Sequence, residues 1–223
     1  MARILVISAH PDDETLGMVG TLLRHVAAGD EVRWAVVSAG WTPRWSAEAL
    51  ATKDAEIDAV AAAYAIPSPT RARLPATRLA DLPLNDVIDG LVPAFRDAPE
   101  TIYCVHPGDV HTDHQAVFAA AWTLAKPFRA GRGGVRRFLC YETLSSTDAA
   151  PPDLHRAFQP TAWCTLAEEQ IDAKVRIMGL YASETQPEPL PRAPSAIRAL
   201  ARLRGAQVGV PHAEAFRVLR DVW

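Results

Sequence analysis

The sequence has few cysteines and no long basic or apolar run, and these absences exclude several classes of protein. Only 3 of the 223 residues are cysteine, an odd number in apolar or aromatic surroundings, which favours reduced thiols over a disulfide framework. The formal net charge is −3 and no basic run occurs, so we expect no nucleic-acid partner. The first apolar run stops at His10 and is too short for a signal sequence or a membrane-spanning helix. We therefore expect a soluble, cytoplasmic protein without membrane insertion.

The sequence also lacks the glycine-rich fingerprint of dinucleotide-binding proteins. No G-x-G-x-x-G follows the first predicted strand, and the glycine-rich stretch 131–134 precedes a strand and is expected to be a loop, not a phosphate cradle. Carboxylates stand where the glycines would be, and they would repel a pyrophosphate. These features argue against NAD as a cofactor.

The order of apolar runs and amphipathic stretches predicts an α/β protein. It is typical of a Rossmann-like three-layer fold with a mainly parallel sheet, formed here by one domain over residues 1–223. Hydrophobic residues make up 49% of the chain and charged residues 22%, as in ordinary globular domains. The predicted strands are 4–8, 31–38, 101–105, 136–142, 162–165 and 214–217. The predicted helices are 15–28, 47–64, 84–96, 114–125, 167–180 and 196–204. Residues 73–82 are expected to be short extended or loop structure, and 186–194 a proline-rich loop near the site entrance.

One imidazole and three carboxylates follow the first predicted strand. Residues 9–14 read Ala-His-Pro-Asp-Asp-Glu, and ligands of open α/β sheets bind beyond the carboxyl ends of the strands. Helix capping explains one carboxylate at such a place, but not three together with a histidine. Pro11 stiffens the turn between His10 and Asp13, so both side chains can point to one place.

A second stretch rich in histidine and aspartate follows the predicted strand 101–105. Residues 106–114 read His-Pro-Gly-Asp-Val-His-Thr-Asp-His. His114, at the start of a predicted helix, can reach the point at which His10 and Asp13 are aimed. Two histidines and one aspartate with open positions suit Zn²⁺ in a hydrolase or Fe²⁺ in an oxygenase. We therefore expect a metal site at the carboxyl ends of the strands.

The remaining polar residues of the two motifs are expected to act beside this metal. Asp12 lies next to a ligand but points elsewhere, which suits a general base acting on a water at the metal. His111 is expected to face the substrate. Asp113 could hold one nitrogen of His111 and so fix its tautomer.

The two motifs together resemble those of the PIG-L/LmbE-like deacetylase family. Members of this family are zinc-dependent N-deacetylases with a Rossmann-like fold, acting mostly on N-acetylglucosamine-type groups. The resemblance implies one zinc ion, held by His10, Asp13 and His114, with Asp12 as the general base. It further implies that His111 stabilises the oxyanion or protonates the leaving amine, with Asp113 orienting it.

The sequence departs from the family pattern at positions that concern the substrate. Lys53 stands where the family has an arginine thought to meet the substrate; it keeps the charge but not the bidentate fork. Glu184 stands where a glutamine is usual. Together with Arg44, Lys53 is expected to bind the substrate, and Trp41 and Trp45 offer flat faces for a sugar ring.

These observations predict a hydrolase that removes the acetyl group from an N-acetyl amino sugar, carried on a nucleotide or a glycoside. The partner is then a small-molecule or glycoconjugate substrate, and a homo-oligomer is left open. The nearest alternative is an amidase that cleaves a larger acyl or thiol-conjugate amide with the same metal site. A non-catalytic metal-binding protein is a further alternative, but it needs neither Asp12 nor His111.

Overall fold

A seven-stranded, mainly parallel sheet forms the centre of the protein. The computed structural model describes residues 1–127, 134–152 and 156–223; residues 131–133 of the glycine-rich stretch lie outside these ranges. The strands are β1 (Arg3–Ser8), β2 (Glu31–Ala39), β3 (Thr70–Pro75), β4 (Thr101–Val105), β5 (Arg137–Tyr141), β6 (Ala162–Leu166) and β7 (His212–Asp221). Their order in the sheet is β3-β2-β1-β4-β5-β7-β6. β1 to β5 are parallel to one another, whereas β7 is antiparallel to both β5 and β6.

Helices cover the two faces of the sheet and give the predicted three-layer α/β fold. They are α1 (Asp13–Ala27), α2 (Ala47–Tyr64), α3 (Leu84–Leu91), α4 (Thr112–Leu124), α5 (Glu168–Met178) and α6 (Pro194–Ala206). The central strands are apolar because both of their faces are covered; in β1, the residues from Ile4 to Ile7 are at most 3% exposed. Within the described residues, no helix is long and apolar enough to cross a membrane. The single-domain organisation over 1–223 and the cytoplasmic location stay predictions.

Three elements differ from their predicted bounds by more than two residues, each for an identifiable reason. β3 begins at Thr70, before the predicted extended segment 73–82, because this edge strand carries arginines instead of an apolar alternation. The predicted helix 84–96 ends at Leu91 and continues as a 3₁₀ turn, since Pro93 has no N–H for the next helical hydrogen bond. The predicted strand 214–217 is longer, because β7 pairs on both sides and so uses its polar residues as well.

A buried glutamate of β7 holds α1 in place. α1 is interrupted at Met18, whose φ is −152°. Beyond the interruption, the backbone amides of Gly20 and Thr21 donate to the Glu214 carboxylate at 3.0 and 2.7 Å. Lys174 neutralises this carboxylate at 2.8 Å. Glu214 thus acts as a cap for the second half of the helix whose first residue, Asp13, is a predicted metal ligand.

Replacement of Glu214 by alanine is expected to lower the free energy of unfolding by about 3–5 kcal/mol, because it leaves Lys174 buried without a counter-charge. Urea denaturation measures this loss. The exposed Glu169 on α5 provides the control: Glu169→Ala should change the stability by less than about 0.5 kcal/mol. A loss below about 1 kcal/mol for Glu214→Ala would contradict the assigned role.

Candidate active site

A cavity of about 670 Å³ opens at the carboxyl ends of the parallel strands. Segments that end or follow all five of these strands line it: residues 10–13, 38–40, 76–77, 111 and 114, and 143–146. Further lining comes from α2 and from the segment between α5 and α6. Both sequence motifs therefore meet in one cavity, at the sheet edge where α/β proteins bind their ligands.

Ring nitrogens of His10 and His114 converge with the carboxylate of Asp13. His10 Nδ1 lies 3.3 Å from His114 Nε2. The Asp13 oxygens lie 3.4 Å from His114 Nε2 and 3.8 Å from His10 Nδ1. Zinc bonds of 2.0–2.1 Å in tetrahedral geometry place two ligand atoms about 3.3–3.4 Å apart. The three side chains predicted as metal ligands therefore have the spacing of a metal centre with open positions.

Two further carboxylates set the tautomers of these histidines. His114 Nδ1 donates to Asp109 Oδ2 at 2.7 Å, and His10 Nε2 donates to Asp113 Oδ2 at 2.9 Å. With the outer nitrogen as the donor, the inner nitrogen of each ring is the one that can bind a metal ion, and both inner nitrogens face Asp13. Carboxylates that orient metal-binding histidines in this way are typical of metalloproteins.

The structure corrects the predicted partner of Asp113. Its carboxylate binds His10 and accepts from the backbone amides of Thr77 at 2.6 Å and Leu79 at 3.0 Å. His111 is instead held through its Nδ1, which accepts from the backbone amide of Asp113 at 3.2 Å. The sequence spacing placed the two side chains together, but the carboxylate turns to the amides of the segment after β3. Asp113 therefore orients a predicted metal ligand, not the residue expected to face the substrate.

The pKa values of His114 and Asp13 show that this cluster favours a positive charge. Burial disfavours charge on His114, but Asp13 and Asp109 outweigh it and raise the pKa of His114 to about 10. Burial likewise raises the pKa of Asp13, but His114 and His10 outweigh it and lower that pKa to about 2. A proton thus supplies positive charge where a metal ion would supply it. Ligand atoms of His10, His111 and His114, all within 4.8 Å of one another, form a group able to hold a metal.

Asp12 points into the cavity and leaves the helix start uncapped. It precedes α1 with a φ of 113°, and its side chain makes no capping hydrogen bond. Its Oδ2 accepts from Arg192 Nη1 at 2.8 Å. Burial and then the neighbouring Asp13 raise the pKa of Asp12, against the opposing effect of Arg192. A buried carboxylate with a raised pKa, beside the predicted ligands but not among them, suits a proton acceptor.

His111 begins α4 and presents a neutral ring to the cavity. Burial, and then His10 and His114, lower the pKa of His111 to about 4. Because Nδ1 accepts the backbone hydrogen bond, the proton of the neutral ring is on Nε2. His111 can therefore donate a hydrogen bond to a developing oxyanion at neutral pH.

The third carboxylate of the first motif is not part of the cavity. Glu14 is fully buried beneath it. Four hydroxyl groups donate to its carboxylate, those of Ser8, Thr15, Tyr64 and Tyr181. Burial raises the pKa of Glu14, and these hydrogen bonds oppose that shift. Glu14 is therefore a residue of the core and not one of the cavity.

The two residues predicted to bind substrate lie in different places. Lys53 lines the cavity, with Nζ 2.9 Å from Glu56 and 2.7 Å from Glu184. Arg44 is exposed and outside the lining, and its guanidinium lies over the Trp45 ring at 4.9 Å. Trp45 lines the cavity, whereas Trp41 donates to the Ala76 carbonyl and does not. For Arg44, substrate contact stays a prediction without support from its position.

Arg192 is a residue of the cavity that the sequence did not single out. It lies in the proline-rich segment 186–194, binds Asp12 and lines the cavity. Its separation from Asp12 is 180 residues, so no local spacing connects the two. The feature of the sequence that could have indicated Arg192 is its place as the one arginine of a proline-rich loop expected near the site entrance.

Asp113→Asn tests the corrected contact. We expect metal affinity to fall about 10–100-fold, because the orientation of His10 is lost. Competition with a chromophoric chelator measures this. Asp81→Asn, which changes an exposed aspartate of the same region, is the control and should keep wild-type affinity. If activity fell while metal affinity stayed unchanged, Asp113 would serve His111 instead, as the sequence predicted.

The profile of the PIG-L family, described as GlcNAc-PI de-N-acetylase, matches residues 5–125, more than half of the chain and both motifs. The chain belongs to the PIG-L family. No curated protein matches the sequence. Family membership and the intact motifs identify a metal-dependent N-deacetylase.

Solved structures share the fold of this PIG-L protein. N,N′-diacetylchitobiose deacetylase from Pyrococcus horikoshii is 18% identical with a TM-score of 0.75, over 97% of this chain and 83% of that chain. The zinc-inhibited form of teicoplanin deacetylase Orf2 is 17% identical with a TM-score of 0.76, over 99% of each chain. GalB, the 4-carboxy-2-hydroxymuconate hydratase from Pseudomonas putida KT2440, is 17% identical with a TM-score of 0.72, over 98% and 96%. One fold thus serves deacetylases and a hydratase, so the fold alone does not determine the reaction.

Proposed function

We propose that this protein is a zinc-dependent hydrolase that removes the acetyl group from the nitrogen of an N-acetylglucosamine-type amino sugar. The observation that carries the proposal is the convergence of His10 Nδ1, His114 Nε2 and Asp13 within 3.3–3.8 Å, with the Asp12 carboxylate beside them. The family description names a de-N-acetylase of GlcNAc-PI, which is a conjugate of N-acetylglucosamine. The chitobiose deacetylase with the same fold acts on a related N-acetyl sugar.

The donor set fits zinc. His10, Asp13 and His114 would hold it through two imidazole nitrogens and one carboxylate, which is the composition of catalytic zinc sites with an open position. A bound zinc ion supplies Lewis acidity, which lowers the pKa of a water towards neutrality and polarises a carbonyl. Fe²⁺ suits the same donors, and metal analysis of the purified protein distinguishes the two.

Asp12 and His111 are the residues of the cavity that transfer or donate protons. Asp12 takes a proton from the attacking water. Its carboxylate is buried and makes no capping hydrogen bond to α1, and its pKa is raised. His111 donates its Nε2 proton in a hydrogen bond to the oxyanion, and its pKa of about 4 makes it a neutral donor at pH 7. Asp12, now protonated, then delivers the proton to the departing amine. The products are acetate and a free amino sugar.

The charges of the cavity favour a neutral glycoside over a nucleotide carrier. A lysine and an arginine line the cavity, and each already binds carboxylates: Lys53 binds Glu56 and Glu184, and Arg192 binds Glu184 and Asp12. A phosphate would therefore compete with these carboxylates for the two cations. The flat face of Trp45 can instead stack on a sugar ring.

Acetate release from a matched panel of amides tests the proposed function. The panel contains N-acetylglucosamine, its β-methyl glycoside, N,N′-diacetylchitobiose and UDP-N-acetylglucosamine. We expect equal amounts of acetate and free amine from at least one neutral sugar, with a higher kcat/KM than for the nucleotide sugar. Turnover without oxygen excludes an oxygenase. Cleavage of N-benzoyl but not N-acetyl amides would favour the amidase alternative, and hydration of an unsaturated acid without amide cleavage would favour a hydratase.

A further inference from the structure

Four side chains of alternating charge form a continuous chain along the cavity wall. Lys53 Nζ lies 2.7 Å from Glu184 Oε1, Glu184 Oε2 lies 2.7 Å from Arg192 Nη1, and Arg192 Nη1 lies 2.8 Å from Asp12 Oδ2. We call these four residues the ion chain. They come from α2, from the segment between α5 and α6, and from the turn before α1. The ion chain thus joins distant parts of the sequence at the side chain proposed to act as the base.

Arg192 is the anchor of the Asp12 side chain. Among the described residues, no donor other than Arg192 hydrogen-bonds to the Asp12 carboxylate, which also makes no capping contact with α1. The contact engages Oδ2 and leaves Oδ1 available for the attacking water. Without this contact, the carboxylate would be free to rotate about the side-chain bonds of Asp12, and the negative charge of Asp13 would repel it. The direction in which Asp12 presents its free oxygen is therefore set by Arg192.

Glu184 and Lys53 in turn fix Arg192. Glu184 uses one oxygen for each cation, so it holds the guanidinium and the ammonium at the same time. Lys53 also binds Glu56 at 2.9 Å and contacts the Ser183 hydroxyl. The Lys53 side chain is only 20% exposed. The three N–H groups of the Lys53 ammonium thus all have partners within the protein. This disagrees with the expectation that Lys53 contacts the substrate directly.

We infer that Arg192 is a positioning residue for Asp12, and that Lys53 and Glu184 act on the reaction through Arg192 and not by binding substrate. This inference rests on the proposed function, in which Asp12 takes the proton. A base displaced by about 1 Å loses about 10²-fold in rate. The ion chain therefore explains the two departures from the family pattern together, because Lys53 and Glu184 form an ion pair with each other.

Kinetics of Arg192→Gln, Arg192→Lys and Lys53→Met separate positioning from binding. We expect Arg192→Gln to lower kcat about 10–100-fold while KM stays within about threefold, and Arg192→Lys to restore part of the loss. Lys53→Met should lower kcat less, again at nearly constant KM. Arg198→Gln is the matched control, since Arg198 on α6 also binds two carboxylates, those of Glu168 and Asp172, on the protein surface. It should keep wild-type kinetics.

Crystal structures of the wild type and of Arg192→Gln give a readout that needs no substrate. We expect the Asp12 carboxylate to have one orientation in the wild type and to rotate or occupy several orientations in the variant. An unmoved Asp12 in the variant overturns the inference, as does a raised KM with an unchanged kcat, which would make Arg192 a substrate ligand. If Asp12 reorients but the wild type cleaves no N-acetyl sugar, the inference holds and the proposed function fails.

Discussion

Asp12→Asn is expected to lower kcat by about 10²–10⁴-fold, the range typical of a lost general base. The asparagine has the same shape, and its carbonyl oxygen can still accept from Arg192, so the turn before α1 should keep its structure. Because Asp12 lies outside the converging ligand atoms, the variant should retain a full equivalent of metal. Steady-state acetate release and elemental analysis of the dialysed protein measure the two effects.

The two measurements together decide the role of Asp12. Loss of metal along with activity would make Asp12 a ligand, and a near-normal kcat would remove it from the mechanism. Asp86→Asn serves as the control, since Asp86 is an exposed carboxylate on α3. This control should leave both metal content and kcat unchanged.

His114→Ala is expected to remove most of the bound metal and with it the activity. His114 supplies the nitrogen that lies closest to both other predicted ligands, at 3.3 Å from His10 and 3.4 Å from Asp13. Its loss leaves one imidazole and one carboxylate, which is too few ligands for a stable zinc site. It also leaves Asp13 and Asp109 buried without their common partner, so the thermal stability of the metal-free variant should be recorded as well.

A second histidine variant shows whether the loss is specific. His25 on α1 has both ring nitrogens bonded, to Asp30 at 2.8 Å and Tyr103 at 3.0 Å, and it does not line the cavity. His25→Ala should keep a full equivalent of zinc. Stoichiometric zinc in His114→Ala would refute the ligand set, whereas loss in both variants would point to unfolding.

The convergence of His10, Asp13 and His114 could be predicted from the sequence, because it depends on one short turn and on two adjacent strands. His10 and Asp13 lie in one strand-to-helix turn, closed by the hydrogen bond from the His10 amide to the Asp13 carboxylate at 2.8 Å. β1 and β4 are adjacent and parallel, so the residues after both strands must meet. The apolar run of each strand and the polar residues directly after it were sufficient to predict this arrangement.

Long-range contacts decide the parts that the sequence did not predict. Asp113 turns to His10 and at the same time accepts hydrogen bonds from the amides of Thr77 and Leu79. The segment of these two residues follows β3, an edge strand with a weak sequence pattern. Arg192 reaches Asp12 across the fold from a loop without periodicity. Glu14 has the same chemistry as its neighbours in the motif, yet the hydroxyl groups packed around it place it in the core.

Acetate release titrated against added zinc tests the central claim most directly. Protein stripped of metal by a chelator is given increasing zinc, with an N-acetyl amino sugar as substrate. The account predicts no release without metal, a linear rise up to one equivalent of zinc per chain, and no rise in His114→Ala. Full acetate release by the stripped protein, or a rise that His114→Ala shares, would contradict it.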